Sequence, residues 1–129
     1  DSVRIQGDKD LLFQMLANLI DNAIKYTPAG GAIVTQLFVL EGMIHIIFAD
    51  NGLGIPPAKY GKVFQRFYRV EESRGIQPGN GLGLSLVQAV AVLHGGRVRL
   101  SDSLAHFPGH DTPGLKICVM IPLVLNHTA

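Results

Sequence analysis

At 129 residues, nearly half of them hydrophobic, the chain has enough apolar content for one core and too little length for two. A formal charge of +1 with 16% charged residues excludes the basic excess of a nucleic-acid binder, so any anion must be gripped by local groups. The single cysteine, Cys118, rules out an intrachain disulfide and a thiolate-built metal site, and in its alternating run it reads as a buried small hydrophobe.

No apolar stretch reaches the roughly 18–20 residues that span a bilayer, and the N-terminus lacks the basic, apolar, small-residue order of a signal peptide. A soluble chain suited to a reducing compartment is expected. It opens on Asp1-Ser2-Val3-Arg4 without a methionine, and a piece of something longer is expected from that.

Val3 to Ile5 is a short strand candidate, closed by Gly7. With Asp8 as N-cap, Leu11, Leu12, Met15, Leu16, Leu19, Ile20, Ala23 and Ile24 recur at helical spacing, which predicts a helix from Asp8 to Tyr26 that stops before Pro28. Ala32 to Leu40 and Met43 to Ala49 are β-rich runs joined at Glu41-Gly42, the pattern of a hairpin. From Asp50 to Gly83 the texture changes to seven glycines and three prolines, a long functional loop holding a short helix near Ala58 to Phe67. Leu84 to Leu93 form a second helix, ended at His94-Gly95-Gly96. Val98 to Leu100 and Leu115 to Ile121 are the last strands, the latter with Leu115, Ile117, Val119 and Ile121 on its buried face. Ser103 to Pro113 reads as a surface loop without clear purpose. The missing βαβα alternation points to helices stacked on one face of a mixed sheet.

Four segments carry chemistry. On the first helix, Gln14, Asn18, Asn22 and Lys25 share one flank, and two asparagines in a good helix ask for a reason. Their amide oxygens are hard ligands suited to Mg²⁺, their NH₂ groups donate to phosphate, and Lys25 adds charge. Asp50-Asn51-Gly52-Leu53-Gly54-Ile55 follows a strand, and an ionised Asp50 accepts from an adenine amine but not from a guanine carbonyl, with Gly52 and Gly54 leaving room for the ring. Gly79-Asn80-Gly81-Leu82-Gly83-Leu84-Ser85 opens the second helix with exposed peptide N–H groups and the helix's partial positive charge, a site for phosphate oxygens. Between these, Val63-Phe64-Gln65-Arg66-Phe67-Tyr68-Arg69 interleaves aromatics with arginines, anchors for a mobile lid and forked donors for a terminal phosphate.

Taken in order, the segments resemble the asparagine, first glycine, phenylalanine and second glycine boxes of the sensor histidine kinases of two-component systems. Asn18 to Tyr26 and Phe64 to Arg69 carry the likeness most clearly, and it covers about Val3 to Leu100 and returns at Met120-Ile121-Pro122. The resemblance implies the α+β Bergerat (GHKL) fold shared with gyrase, a heat-shock chaperone and mismatch-repair ATPases. That fold is an α/β sandwich with a mixed, mostly antiparallel sheet of about five strands, about three helices on one face and a long ATP lid. By position it implies Asn18 and Asn22 on Mg²⁺ and the phosphates, Lys25 on the phosphates and Tyr26 near the nucleoside. Asp50 would accept from the adenine amine, with Gly52, Gly54 and Ile55 around the base. Arg69, then Arg66, would reach the γ-phosphate, with Phe67 and Tyr68 beside them. Gly79, Asn80, Gly81, Leu82, Gly83 and Leu84 would form the closing hinge.

The implied activity is transfer of the γ-phosphoryl group of Mg-ATP, by the catalytic set Asn22, Lys25, Arg69 and Arg66, to a histidine on a helical dimerisation domain, for relay to a response-regulator aspartate. The implied parent is a membrane-anchored homodimer with this domain on the cytoplasmic side, the fragment itself being a monomer and not labelling itself. His45, His94, His106, His110 and His127 lack the helical context of a phospho-acceptor and read as strand, cap, loop or tail. Hydrolytic relatives place glutamate where Asn18 stands, and an amide cannot take a proton from water, which favours transfer over hydrolysis. The alternatives are a hydrolytic ATPase of the same fold, a non-catalytic nucleotide-binding module and a serine kinase of the anti-sigma type. Gly109 to Gly114 departs from the family's usual glycine-threonine-rich lead into the last strand.

Overall fold

The structure is a computed structural model, and it describes residues 7–65, 83–109 and 111–123. Helix α1 runs Lys9–Tyr26, and its cap is the expected one: the Asp8 side chain accepts from the N–H groups of Asp10 and Leu11. These are two of the donors a helix start leaves without partners. Met15, Leu19 and Ala23 form its buried stripe.

Strands β1 (Ile33–Leu40) and β2 (Met43–Asp50) pair antiparallel through the two-residue turn Glu41-Gly42. Both turn residues have positive φ, 53° and 77°, the type I′ geometry whose twist matches the flanking strands. Glutamate carries a Cβ into that left-handed region at a cost.

After β2 the expected single helix near Ala58 to Phe67 is replaced, over its described part, by two 3-10 turns, Pro57–Lys59 and Lys62–Phe64. Pro56 and Pro57 start the first, Gly61 separates the two, and Gln65 is already extended, so no run is long enough to settle into α geometry.

Helix α2 (Gly83–Leu93) ends in a Schellman motif, Gly96 N–H to Ala91 O at 2.8 Å and Gly95 N–H to Val92 O at 3.0 Å. Strands β3 (Arg97–Ser101) and β4 (Leu115–Pro122) follow, with a 3-10 turn at Leu104–His106 between them. The four described strands lie in the order β1-β2-β4-β3, each pair antiparallel. The strand expected at Val3 to Ile5 lies outside the described residues.

Ile44, Leu115, Ile117, Val119 and Ile121 on one face of the sheet meet Met15, Leu19, Val87, Val90 and Ala91 from the two helices, giving the expected α+β sandwich with one core. Cys118, on the other face, is half-buried beside His45, and burial pushes its thiol pKa up.

The two helices run antiparallel. At one end His94 joins them: its Nδ1 donates to Val90 O at 2.7 Å, and its Nε2 accepts from the Asp8 N–H at 3.0 Å. Those two bonds specify the neutral tautomer protonated on Nδ1. At the other end Asn22 of α1 faces Gly83 of α2, so the clamp at His94 sets the register of the pair.

Glu41→Asn, placing a residue that tolerates the left-handed region in the hairpin turn, is expected to stabilise the chain by about 0.5–1 kcal/mol, read as a higher midpoint in urea unfolding.

Candidate functional site

Asp50 is the last residue of β2 and is only 6% exposed. Its Oδ1 accepts from the Gly52 N–H at 2.8 Å and the Leu115 N–H at 3.3 Å, which leaves Oδ2 as the oxygen for a ligand. Burial raises the pKa of the carboxyl above the ordinary carboxylate value, and the two peptide donors pull it partly back. No cation among the described residues contributes to that balance.

The segment after Asp50 is stitched on both sides. Asn51 exchanges bonds with Ala32, its N–H to Ala32 O at 3.2 Å and its Oδ1 accepting from Ala32 N at 2.9 Å. From the other side Thr112 Oγ1 donates to Asn51 O at 2.9 Å and Gly114 N to Gly52 O at 3.0 Å. Gly54, at φ 78°, passes so close to Gly114 that a Cβ there would sit 2.3 Å from the Gly114 carbonyl oxygen. Ile55 packs partly buried against the core.

The sequence offered no purpose for the loop Ser103 to Pro113, and the structure corrects its reading as a mere surface connection. Ser103 is fully buried and donates its hydroxyl to the Asp50 carbonyl oxygen. Ser103, Thr112 and Gly114 are therefore site residues that sequence reasoning missed; the only local signal was a serine, a threonine and a glycine at the two ends of one loop.

On the flank of α1, Asn18 Nδ2 donates back to Gln14 O at 2.8 Å, which leaves its Oδ1 free to face outward. Asn22 Nδ2 is buried and has no partner among the described residues. A Cβ added at Gly83 would lie 3.1 Å from that nitrogen, so the amide sits against the start of α2, where peptide N–H groups gather. An unpaired buried donor costs folding free energy, and one held beside a helix N-terminus is placed for an anion. Magnesium takes only one or two protein oxygens when phosphates supply the rest, and the Asn18 and Asn22 amide oxygens fit that modest demand. No cluster of three histidine, cysteine or carboxylate groups exists among the described residues.

Lys25, expected on the phosphates, is paired instead with Asp21 one turn earlier, Nζ to Oδ2 3.0 Å. Both side chains are partly exposed, and a pair of that kind is weak enough to exchange for a phosphate. Tyr26 closes α1, and its side chain lies outside the described residues. Leu84 packs on the core at the first turn of α2. Arg66, Phe67, Tyr68, Arg69, Gly79, Asn80, Gly81 and Leu82 all lie outside the described residues. The structure thus brings together Asp50, Gly52 and Gly54 at one end of the sheet, and Asn22 with Gly83 between the helices.

Known proteins share this fold. The family described as histidine kinase-, DNA gyrase B-, and HSP90-like ATPase matches residues 7–125, and the chain belongs to it. The signal transduction histidine-protein kinase/phosphatase MprB of Mycolicibacterium smegmatis is 38% identical over 120 residues, 92% of this chain and 24% of that protein. The chain therefore spans less than a quarter of the length of that relative. A solved structure of the mycobacterial sensor histidine kinase MprB superposes with a TM-score of 0.81 at 34% identity, covering 92% of this chain and 76% of that one. Full-length ShkA, solved in complex with AMPPNP, superposes at 0.75 with 25% identity over 95% of this chain and 24% of that one.

The raised carboxyl pKa of Asp50 has a sign. The folded state holds the proton more tightly than the unfolded chain, so stability falls as pH rises from the ordinary carboxylate range through the raised folded value. Asp50→Asn keeps an acceptor oxygen for the Gly52 and Leu115 N–H groups and removes the buried charge. At pH 7 its melting temperature is expected to equal or exceed that of the parent chain, with the pH dependence over that window flattened.

Proposed function

We propose that this chain is one domain that binds Mg-ATP and delivers its γ-phosphoryl group to a histidine nitrogen on a helical domain of the same kinase. The observation that carries the reading is the buried, partnerless Asn22 Nδ2 at the start of α2, with the Asp50 carboxylate at the sheet end. One end reads a purine amine, and the other donates to phosphate oxygens.

In the reaction a P–N bond to the imidazole forms as the bond from the γ-phosphorus to the ADP leaving oxygen breaks. Positioning and charge neutralisation supply most of the acceleration in such transfers, so the absence of a base among the site residues is in keeping with it. Bound magnesium would neutralise phosphate oxygens at Asn18 and Asn22. Asn22 orients the phosphates through its free amide, Lys25 exchanges Asp21 for them, and Arg69 and Arg66 stabilise charge on the γ-phosphate. Gly52, Gly54, Ile55, Phe67, Tyr26 and Tyr68 surround the nucleoside, while Gly79, Asn80, Gly81, Leu82, Gly83 and Leu84 let the flap close. The Asn18 carboxamide cannot take up a proton as a carboxylate would, which argues against activation of water. The parent would be a dimeric sensor with this domain on the cytoplasmic side of the membrane, relaying phosphate to a response-regulator aspartate.

Asn22→Ala is expected to weaken Mg-ATP binding at least about tenfold in a calorimetric titration while leaving the fold intact. Affinity for ATP is also expected to drop as pH falls through the raised Asp50 value, because a protonated carboxyl no longer offers two acceptor oxygens. The chain alone should not label itself from ATP, and adding the kinase's helical domain should yield acid-labile, base-stable phosphate on that domain. Brisk phosphate release by the chain alone would instead establish a hydrolase.

A further inference from the structure

The carbonyl of Asp50 stands where β2 ends and the chain turns away into Asn51. A carbonyl at such a point must find a partner outside the ladder or remain unsatisfied in the interior. Ser103, 53 residues further along, provides it. The serine hydroxyl has a single proton and two carbonyls in reach, that of Asp50, which is the nearer, and that of Pro113 at 3.1 Å, while the Ser103 N–H donates to Pro113 O at 2.8 Å and ties the two ends of the loop together. Gly114, with φ at 64°, passes the same carbonyl so closely that a Cβ would lie 2.0 Å from the Asp50 oxygen and 2.1 Å from Ser103 Oγ.

The two ends of the loop thus converge on one peptide, and the next residue after Gly114 is Leu115, whose N–H holds Asp50 Oδ1. Backbone and side chain of Asp50 are therefore both held by one strap, with the Gly52 N–H as the second donor to Oδ1. Displacing Ser103 frees the carbonyl, shifts Gly114 and Leu115 together, and swings the remaining oxygen, Oδ2, away from its bearing.

We propose that Ser103 is a positioning residue for base recognition: by anchoring the Asp50 carbonyl and the strap it closes, it aims the free carboxylate oxygen at a purine 6-amino group and so sets the preference for 6-amino over 6-oxo purine nucleotides. This rests on the reading of Asp50 as the acceptor for the base. A serine that only satisfied a buried carbonyl would affect stability and not the choice of base, because discrimination arises from where Oδ2 points.

The test titrates the chain with Mg-ATP, with Mg-ITP, whose ring carries an oxo group where adenine has its amine, and with Mg-tripolyphosphate, which has no base. Ser103→Ala is expected to lower the ITP-to-ATP ratio of dissociation constants roughly tenfold and to leave tripolyphosphate binding unchanged. Ser103→Thr, which keeps the hydroxyl, should restore the ratio. Val90→Ala, a core truncation on α2 away from the strap, should destabilise the chain and leave the ratio alone. Should Ser103→Ala not fold, Ser103→Cys, with a weaker donor of similar shape, takes its place and should also lower the ratio. A ratio within twofold of the parent in the alanine or cysteine variant, or an equal loss in Val90→Ala, overturns the proposal. Asp50→Ala separates the two layers: if it erases discrimination while the Ser103 variants keep it, positioning alone fails, and if it too keeps discrimination, the reading of Asp50 fails with it.

Discussion

A carboxylate buried with no cation against it among the described residues is the constraint around which the rest of this domain is arranged. Ionised carboxylates leave water reluctantly, and Asp50 is compensated only by the peptide N–H groups of Gly52 and Leu115. The Gly52 donor is local, two residues on, but the Leu115 donor exists only because β2 pairs with β4 in the register that sets Asp50 opposite Leu115. Shifting β4 by one residue would turn Ile117, Val119 and Ile121 away from the helices and remove a donor from Asp50 in the same step. Core packing and the recognition of a ligand are thus held by one alignment of strands.

A second dependence runs through the helices. Asn22 and Gly83 meet only if α1 and α2 keep their axial register, and the imidazole of His94 joins the helices at the far end through bonds to Val90 and Asp8. The pair is anchored where nothing reacts and left with an unpaired amide where a phosphate would bind. Polar groups left unsatisfied in a folded protein reduce stability, and such costs gather at functional sites. The buried carboxyl of Asp50, held by peptide donors alone among the described residues, and the donor of Asn22 that finds no partner among them are two instances in one small domain.

In the proposed reading the chemistry of the α1 flank is one of ligation and not of proton transfer. Asn18 and Asn22 present amides, Lys25 sits in an exchangeable pair with Asp21, and no described residue at this flank is placed as a base toward a water molecule. An arrangement of this kind holds a charged substrate still while a nucleophile is brought from elsewhere, in keeping with a family that contains both kinases and hydrolytic ATPases.

Local pattern carried much of this into the sequence. The apolar spacing from Leu11 to Ile24 and the Asp8 cap specified α1, Glu41-Gly42 specified the hairpin, Gly95-Gly96 specified the end of α2, and Asp50 and Asn22 stood out as polar residues in apolar settings. Periodicity and turn chemistry act within a few residues, so these features are legible without the fold. Tertiary structure alone decided that Ser103 meets the Asp50 carbonyl across 53 residues, that Leu115 reaches the Asp50 carboxylate across 65, and that His94 caps two helices at once. The Asp21–Lys25 pair, one turn apart on α1, and the two 3-10 turns set by Pro56, Pro57 and Gly61 are by contrast local features. The physical reason is that hydrogen bonds between distant segments follow from which backbones the core presses together, and no local residue spacing encodes that meeting.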